Sequence, residues 1–78
     1  MSNQLQITNA LVVTPSDTIS LAMPTRSIYI GGAGNLSVLM AGGQTTLFSA
    51  LPVGTILPVS CLRINATNTT ATLIVAMW

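Results

Sequence analysis

Apolar and polar residues alternate with a period of two along much of this 78-residue chain. The alternation is clearest in residues 17–23, 26–31, 35–40 and 45–50, where aliphatic side chains mostly alternate with Ser, Thr and other small or polar residues. Period two is typical of half-buried β-strands, whose successive side chains point to opposite faces of a sheet. No window has the i, i+3, i+4 spacing of an amphipathic helix over ten residues free of Pro and Gly. The pattern therefore predicts an all-β protein.

Turn-forming residues divide the chain at intervals of about 8–12 residues, which is typical of a sandwich or barrel. The predicted strands are about 17–23, 26–31, 35–40, 45–50, 55–64 (bent or bulged near Pro58) and 71–78. The glycine-rich Gly31–Gly34 lacks a phosphate-loop pattern and is interpreted as a turn. We expect a small single-domain antiparallel β-sandwich or barrel, jelly-roll-like, over residues 13–78. Residues 1–12 are predicted to be an N-terminal arm or an edge strand.

The last predicted strands carry apolar side chains on both faces. Along 71–78, Ile74, Ala76 and Trp78 point one way, whereas the residues between them point the other way. A two-layer sandwich buries only one face of each strand, so we expect the second face to contact another subunit. The candidate subunit-interface residues are Leu57, Val59, Leu73, Val75, Met77, Trp78 and Arg63. Arg63 has two interpretations, a solvated edge charge or an intersubunit donor to main-chain carbonyls.

Composition limits the chemistry that this chain can perform. It has three charged side chains, Asp17, Arg26 and Arg63, and no Lys, Glu or His. We therefore predict no enzyme activity and no catalytic, cofactor-binding or metal-binding residue. Asp17 is expected to accept backbone N–H groups in a turn, and Cys61 to be a small buried apolar residue. A chain so short and so apolar, without a disulfide or a metal, is expected to be stabilised by homo-oligomerisation.

Neither a membrane nor a nucleic acid is an expected partner. The longest apolar run is Leu73–Trp78, whereas a membrane-spanning helix needs about 20 apolar residues. The first residues lack the basic and apolar regions of a signal peptide. A net charge of +1 is too small to attract nucleic acid through counterion release.

Five segments resemble the small head-spike base proteins of tailed phages and phage-like gene transfer agents. They occur in the order of that family, span about residues 10–78 together, and match by order and spacing. The segments are Val13–Thr18, Arg26–Asn35, Ala41–Gly43, Pro52–Pro58 and Arg63–Ala71, followed by an apolar C-terminus that ends in an aromatic residue.

The resemblance implies a virion structural protein of the head surface, made in the bacterial host cytoplasm and free of cofactors. It implies the base of a head spike or fibre docked on a capsid vertex, with the major capsid protein and the spike or fibre protein as partners. A base at a vertex occupies a fivefold position, so a pentameric ring is favoured. A trimeric capsid decoration (cement) protein is one alternative. The other is a receptor- or glycan-binding module of a phage fibre, for which the loops offer Asn35, Gln44, Asn65 and Asn68.

Overall fold

The alternating pattern forms seven β-strands in the computed structural model, which describes residues 7–78. The strands are β1 (Ala10–Val12), β2 (Ser27–Gly32), β3 (Gly34–Met40), β4 (Thr45–Leu51), β5 (Thr55–Leu57), β6 (Cys61–Ile64) and β7 (Thr72–Met77). The all-β prediction is confirmed. The described residues contain no helix long and apolar enough to cross a membrane. β1 falls within the segment predicted to be an arm or an edge strand, whose first six residues lie outside the described part.

The strands form two antiparallel sheets. Sheet A has the order β1-β7-β2-β5 and sheet B the order β4-β3-β6. A hairpin joins β3 to β4, whereas the connections from β2 to β3, β4 to β5, β5 to β6 and β6 to β7 each pass from one sheet to the other. Such crossings require the two sheets to lie face to face, so the chain forms a β-sandwich.

The core is aliphatic and comes from both sheets. Its buried side chains are Ile28 and Ile30 of β2, Leu36 and Val38 of β3, Cys61 and Ile64 of β6, Ala71, and Ile74 and Ala76 of β7. Full burial of one large aliphatic side chain stabilises a fold by about 1.5–3 kcal/mol. β7 is a central strand of sheet A, because it pairs with both β1 and β2.

The prediction of a strand at 17–23 is wrong, because the long connection between β1 and β2 is irregular there. The Ser16 hydroxyl accepts the N–H groups of Thr18 and Ile19, so the chain turns locally. These local hydrogen bonds compete with the hydrogen bonds that a β-strand would form to a neighbouring strand. The same connection still runs along the outer edge of β6. Ser16 N–H donates to Ile64 O at 2.9 Å, and Leu21 N–H donates to Leu62 O at 2.8 Å.

The single bent strand predicted at 55–64 is two strands in different sheets. The break lies at the predicted place, because Pro58 separates β5 in sheet A from β6 in sheet B. A proline has no N–H to donate to a ladder, so neither strand continues through it. The sequence pattern located the interruption but did not reveal that the chain changes sheets.

The glycine-rich segment predicted to be a turn is the crossing from β2 to β3. Gly31 and Gly32 end β2, and after Ala33 alone Gly34 begins β3 in the other sheet. A Cβ on Gly34 would lie 2.5 Å from Ala71 N and 2.7 Å from the carbonyl carbon of Thr70. Because backbone atoms cannot move aside like a flexible side chain, this close approach requires glycine.

Replacing Gly34 with alanine is therefore expected to lower the free energy of unfolding by about 1–3 kcal/mol, the usual cost of overpacking. Urea unfolding measures the change. Gly42→Ala is the matched control, because a Cβ there meets only the exposed side chain of Gln44. The control is expected to stay within about 0.5 kcal/mol of the unmodified chain. Equal stability of the two variants would contradict the close-approach argument.

Candidate functional site

A polar cavity opens on the outer face of sheet B. It encloses about 250 Å³. Its lining residues are Asp17, Ser37, Thr45, Arg63, Asn65, Thr67 and Asn68. They come from all three strands of sheet B and from the connections that precede β2 and follow β6. Two of the three charged residues of the chain therefore meet at one place, although 46 positions separate them in the sequence.

Asp17 joins the two connections that border this cavity. Its Oδ1 atom accepts the N–H groups of Ala66 at 3.0 Å and Thr67 at 2.9 Å, and its Oδ2 atom accepts the Thr67 hydroxyl at 2.7 Å. The prediction that Asp17 accepts backbone N–H groups is confirmed, but the donors belong to a distant loop. These hydrogen bonds to Thr67, then that to Ala66 and the positive charge of Arg63, hold the pKa of Asp17 below its ordinary value of 3.8.

Arg63, Asn65 and Ser37 form a hydrogen-bonded row along the cavity floor. Arg63 Nε donates to Asn65 Oδ1 at 2.8 Å, and Asn65 Nδ2 donates to Ser37 Oγ at 3.3 Å. Ser37 and Asn65 are buried, while Arg63 is half-buried. This row fixes the orientation of the guanidinium group. Among the described residues, no buried side-chain nitrogen or oxygen lacks a hydrogen-bond partner.

The cavity presents hydroxyl, amide, guanidinium and carboxylate groups that can form hydrogen bonds with polar groups. The described residues include no group of three or more His, Cys, Asp or Glu that could hold a metal ion. Cys61 lies in the core, and burial raises the pKa of its thiol. Its neighbour Thr25 donates its hydroxyl to Val59 O and accepts the N–H of Cys61. Cys61 is thus a small buried residue, as predicted.

The opposite side of the molecule, the outer face of sheet A, is apolar. Val12 pairs with Val75, Val75 with Tyr29, and Tyr29 with Ile56. Because directly paired residues point to the same face, these four side chains form one row across all four strands. None of them is a core residue, and Val12 and Ile56 are 69% and 59% exposed. We call Val12, Tyr29, Ile56, Leu73, Val75 and Met77 the apolar face.

Leu73 is the most exposed member of the apolar face. Its side chain is 70% exposed, and its φ angle of 52° lies in the left-handed region. A non-glycine residue in this region costs about 1–2 kcal/mol. Gly31 lies against it, since a Cβ on Gly31 would lie 2.8 Å from the Leu73 Cβ. Contact of the Leu73 side chain with a partner surface would explain why the chain tolerates this backbone strain.

The predicted interface residues fall into four places. Leu73, Val75 and Met77 lie together on the apolar face. Leu57 and Val59 pack against the core of their own chain. Trp78 is half-buried, and its carbonyl accepts the N–H groups of Thr8 and Asn9. Arg63 lies on the other sheet, at the polar cavity. Their predicted role as subunit contacts stays a prediction for all seven.

Sequence reasoning missed some members of both surfaces. Val12 and Ile56 were not among the predicted interface residues, since a period-two pattern that is apolar on both faces does not reveal which face is inside. Among the loop amides, Asn65 and Asn68 line the cavity, while Asn35 Oδ1 accepts the Ala50 N–H at 2.8 Å. Thr67 carried no signal in the sequence, because its partner Asp17 is 50 residues away.

The lowered pKa of Asp17 predicts an acid-dependent loss of stability. The folded-state pKa lies below the unfolded one, so the carboxylate stabilises the fold above pH 3.8, and this contribution is lost as the pH falls through the folded-state value. Because the chain has no Glu or His, Asp17→Asn is expected to remove most of this fall. Urea unfolding between pH 2 and pH 7 measures it.

Thr67→Ala serves as the matched control for this experiment. It keeps the acid but removes the hydroxyl donor, so the acid-dependent fall is expected to become smaller without disappearing. Parallel pH profiles for the unmodified chain and the Asp17→Asn variant would contradict the proposed role of the carboxylate.

The chain is similar to a chain of a solved capsid structure. No family model and no curated protein matches the chain. A similar chain occurs in a solved structure described as "Capsid of native GTA particle computed with C5 symmetry", where GTA denotes gene transfer agent. The two chains are 33% identical, the TM-score is 0.83, and the match covers 94% of this chain and 84% of the other. The chain therefore belongs to the same family as this chain of the gene transfer agent capsid.

Proposed function

We propose that the chain is a non-enzymatic structural subunit of a phage-like virion. In this proposal it forms a homo-oligomeric ring, a pentamer, that serves as the base of a head spike or fibre docked on a capsid vertex. The observation that carries the proposal is the apolar face, which is exposed in the single chain. Exposed apolar patches that extend over several strands are typical of protein–protein contacts.

The family relationship supports the proposed place in the particle. The related chain belongs to a capsid computed with fivefold symmetry, and a pentameric ring at a vertex satisfies the contacts of every subunit equally. The major capsid protein and the spike or fibre protein are the proposed partners, and the surface of the virion head is the proposed location. The resemblance of the five sequence segments to head-spike base proteins favours this position.

The physical properties of the chain fit a subunit of an assembly. A sandwich with nine buried core side chains among the described residues has a small core for a free domain. Burial of the apolar face between copies would add to that core. The scarcity of charge favours the same conclusion, because identical subunits that each carry a net charge of only +1 repel one another weakly.

The polar cavity is the observation that favours a receptor- or glycan-binding module as a second candidate function. Its amides and hydroxyls can form hydrogen bonds to a sugar. However, the lining residues within the described part of the chain include no aromatic ring on which a sugar could stack. The cavity therefore supports this alternative less strongly than the apolar face supports the ring.

Introducing one charge on the apolar face tests the proposed ring. Ile56→Asp is expected to leave a folded monomer, because Ile56 is already 59% exposed in the single chain. Val53→Asp is the matched control, since Val53 is similarly exposed but lies in the loop before β5. Light scattering is expected to give about five times the 8.1 kDa chain mass for the unmodified chain and the control.

A mass of three chains would favour the trimeric decoration protein instead. An unmodified chain that remains monomeric, or an Ile56→Asp variant that assembles normally, would contradict the proposal. Circular dichroism of Ile56→Asp distinguishes loss of assembly from loss of the fold.

The ring is also expected to survive high salt. At 1 M salt the Debye length falls to about 3 Å, so exposed ion pairs are weakened, while apolar and main-chain contacts persist. Asp17 is the only acidic side chain of the sequence, and both its oxygens already accept hydrogen bonds within the chain. Light scattering in 0.1 M and 1 M NaCl is expected to give the same mass. Dissociation at 1 M would show that ionic contacts hold the ring.

A further inference from the structure

The edges of the two sheets differ in how well they are protected. Within residues 7–78, sheet A ends at β1 and β5, and sheet B ends at β4 and β6. An unprotected edge presents a row of main-chain N–H and C=O groups to which another strand can add. Natural proteins prevent such addition with charged residues, prolines, very short strands or a covering segment.

Two of these edges are closed within the chain. The segment before β2 covers β6, where the N–H groups of Ser16, Leu21 and Thr25 donate to three carbonyls of that strand. β5 has three residues, lies between Pro52 and Pro58, and its Leu57 carbonyl already accepts the Val59 N–H. Neither edge offers a row of groups for another strand.

The edge of β4 is open. Met40 and Gln44 form a hydrogen-bonded pair, since Met40 N–H donates to Gln44 O. From this pair onwards, non-hydrogen-bonded and hydrogen-bonded pairs alternate along the antiparallel ladder of β3 and β4. Thr46 and Phe48 therefore bond to β3, whereas Thr45 and Leu47 direct their N–H and C=O groups away from it. β4 has seven residues with no charge and no proline, and Leu47 is 48% exposed. No strand of the described residues pairs with this side of β4.

Within residues 7–78, the edge of β1 is open in the same way. Val13 N–H donates to Ile74 O, and Trp78 N–H donates to Asn9 O. By the same alternation, Ala10 and Val12 direct their N–H and C=O groups away from β7. Among the described residues, each open edge thus presents at least two residues, spaced two apart, whose outward main-chain groups have no strand partner, and one of them carries an exposed aliphatic side chain, Leu47 or Val12.

The two open edges lie on opposite flanks of the sandwich. β1 is on the flank of β6, because Val13 donates its N–H to β7 and Ser16, only three residues later, donates its N–H to β6. β4 is on the flank of β5, because residues 52–54 alone join these strands. β1 and β5 are opposite edges of sheet A, so β1 and β4 face away from each other.

We infer that a second copy of this chain occupies the open edge, so that β4 of one subunit pairs with β1 of the next. The inference deepens the proposed ring and rests on it. A contact between two different edges on opposite flanks is head-to-tail, and head-to-tail contacts form a closed ring when the rotation between copies closes, as the proposed ring requires. In an antiparallel pairing of these edges, Thr45 bonds to Val12 and Leu47 bonds to Ala10 of the neighbouring copy, and the Leu47 and Val12 side chains are diagonal neighbours. A symmetric β4–β4 pair would instead stop at a dimer.

Amide hydrogen exchange of the unmodified chain tests the pairing directly. In the assembled protein the Leu47 and Val12 amides are expected to exchange about tenfold or more slowly than unprotected amides, because each donates across the seam. The Thr46 and Phe48 amides are an internal control, since they are protected within the chain. A ring in which Leu47 and Val12 exchange freely overturns the pairing and leaves the ring intact. A chain that remains monomeric overturns both.

Proline variants test the head-to-tail direction. Leu47→Pro and Val12→Pro each remove one outward N–H, which an edge strand tolerates, and each is expected to be a folded monomer. Mixed in equal amounts, they are expected to give a two-chain complex and no ring, because each supplies the edge that the other lacks. Leu47→Val and Val12→Ile keep the N–H groups and are expected to form the ring. Rings formed by either proline variant, or a Val12→Pro dimer through β4, overturn the inference.

Discussion

Hydrogen bonding of the main chain with the help of short polar side chains is the constraint on which this structure depends. The long connection before β2 closes the edge of β6 with its own N–H groups, and Thr25 uses its hydroxyl on both Val59 and Cys61. Asn35 and Asp17 satisfy N–H groups of other segments with side-chain oxygens. Short hydroxyl, amide and carboxylate side chains thus replace the long charged ones that the sequence lacks.

These polar contacts lie at sheet B and at the connections that border it. The connection that follows β6 folds over sheet B, where Thr69 accepts the Ser37 N–H and Asn65 donates its N–H to Ser37 O. Sheet A receives no such cover among the described residues, and its outer surface carries Tyr29 and aliphatic side chains. The chain therefore has a polar side, closed by its own loops, and an apolar side on which a neighbour is proposed to pack.

The proposed ring follows from the same physical imbalance. Strands that are apolar on both faces cannot bury both within two layers, and short edge strands give a single domain little reserve of stability. Association of copies would bury the apolar face, and pairing of the two open edges would satisfy main-chain groups that face water in the single chain. The scarcity of charge in the sequence and the unpaired edges of β1 and β4 among the described residues thus both favour association of copies.

The fold class and most of the strands could be predicted from the sequence alone. Period-two alternation located β2, β3 and β4, and a run of apolar residues located β7, each to within about two residues. The changes from one sheet to the other, such as those at Gly34 and Pro58, appear only in the folded structure, because both positions look like ordinary turns in the sequence. The fold also brings Asp17 to Thr67 and places Val12 in one row with Ile56. Contacts between segments far apart in sequence leave no local pattern, so only the packing of the two sheets could reveal them.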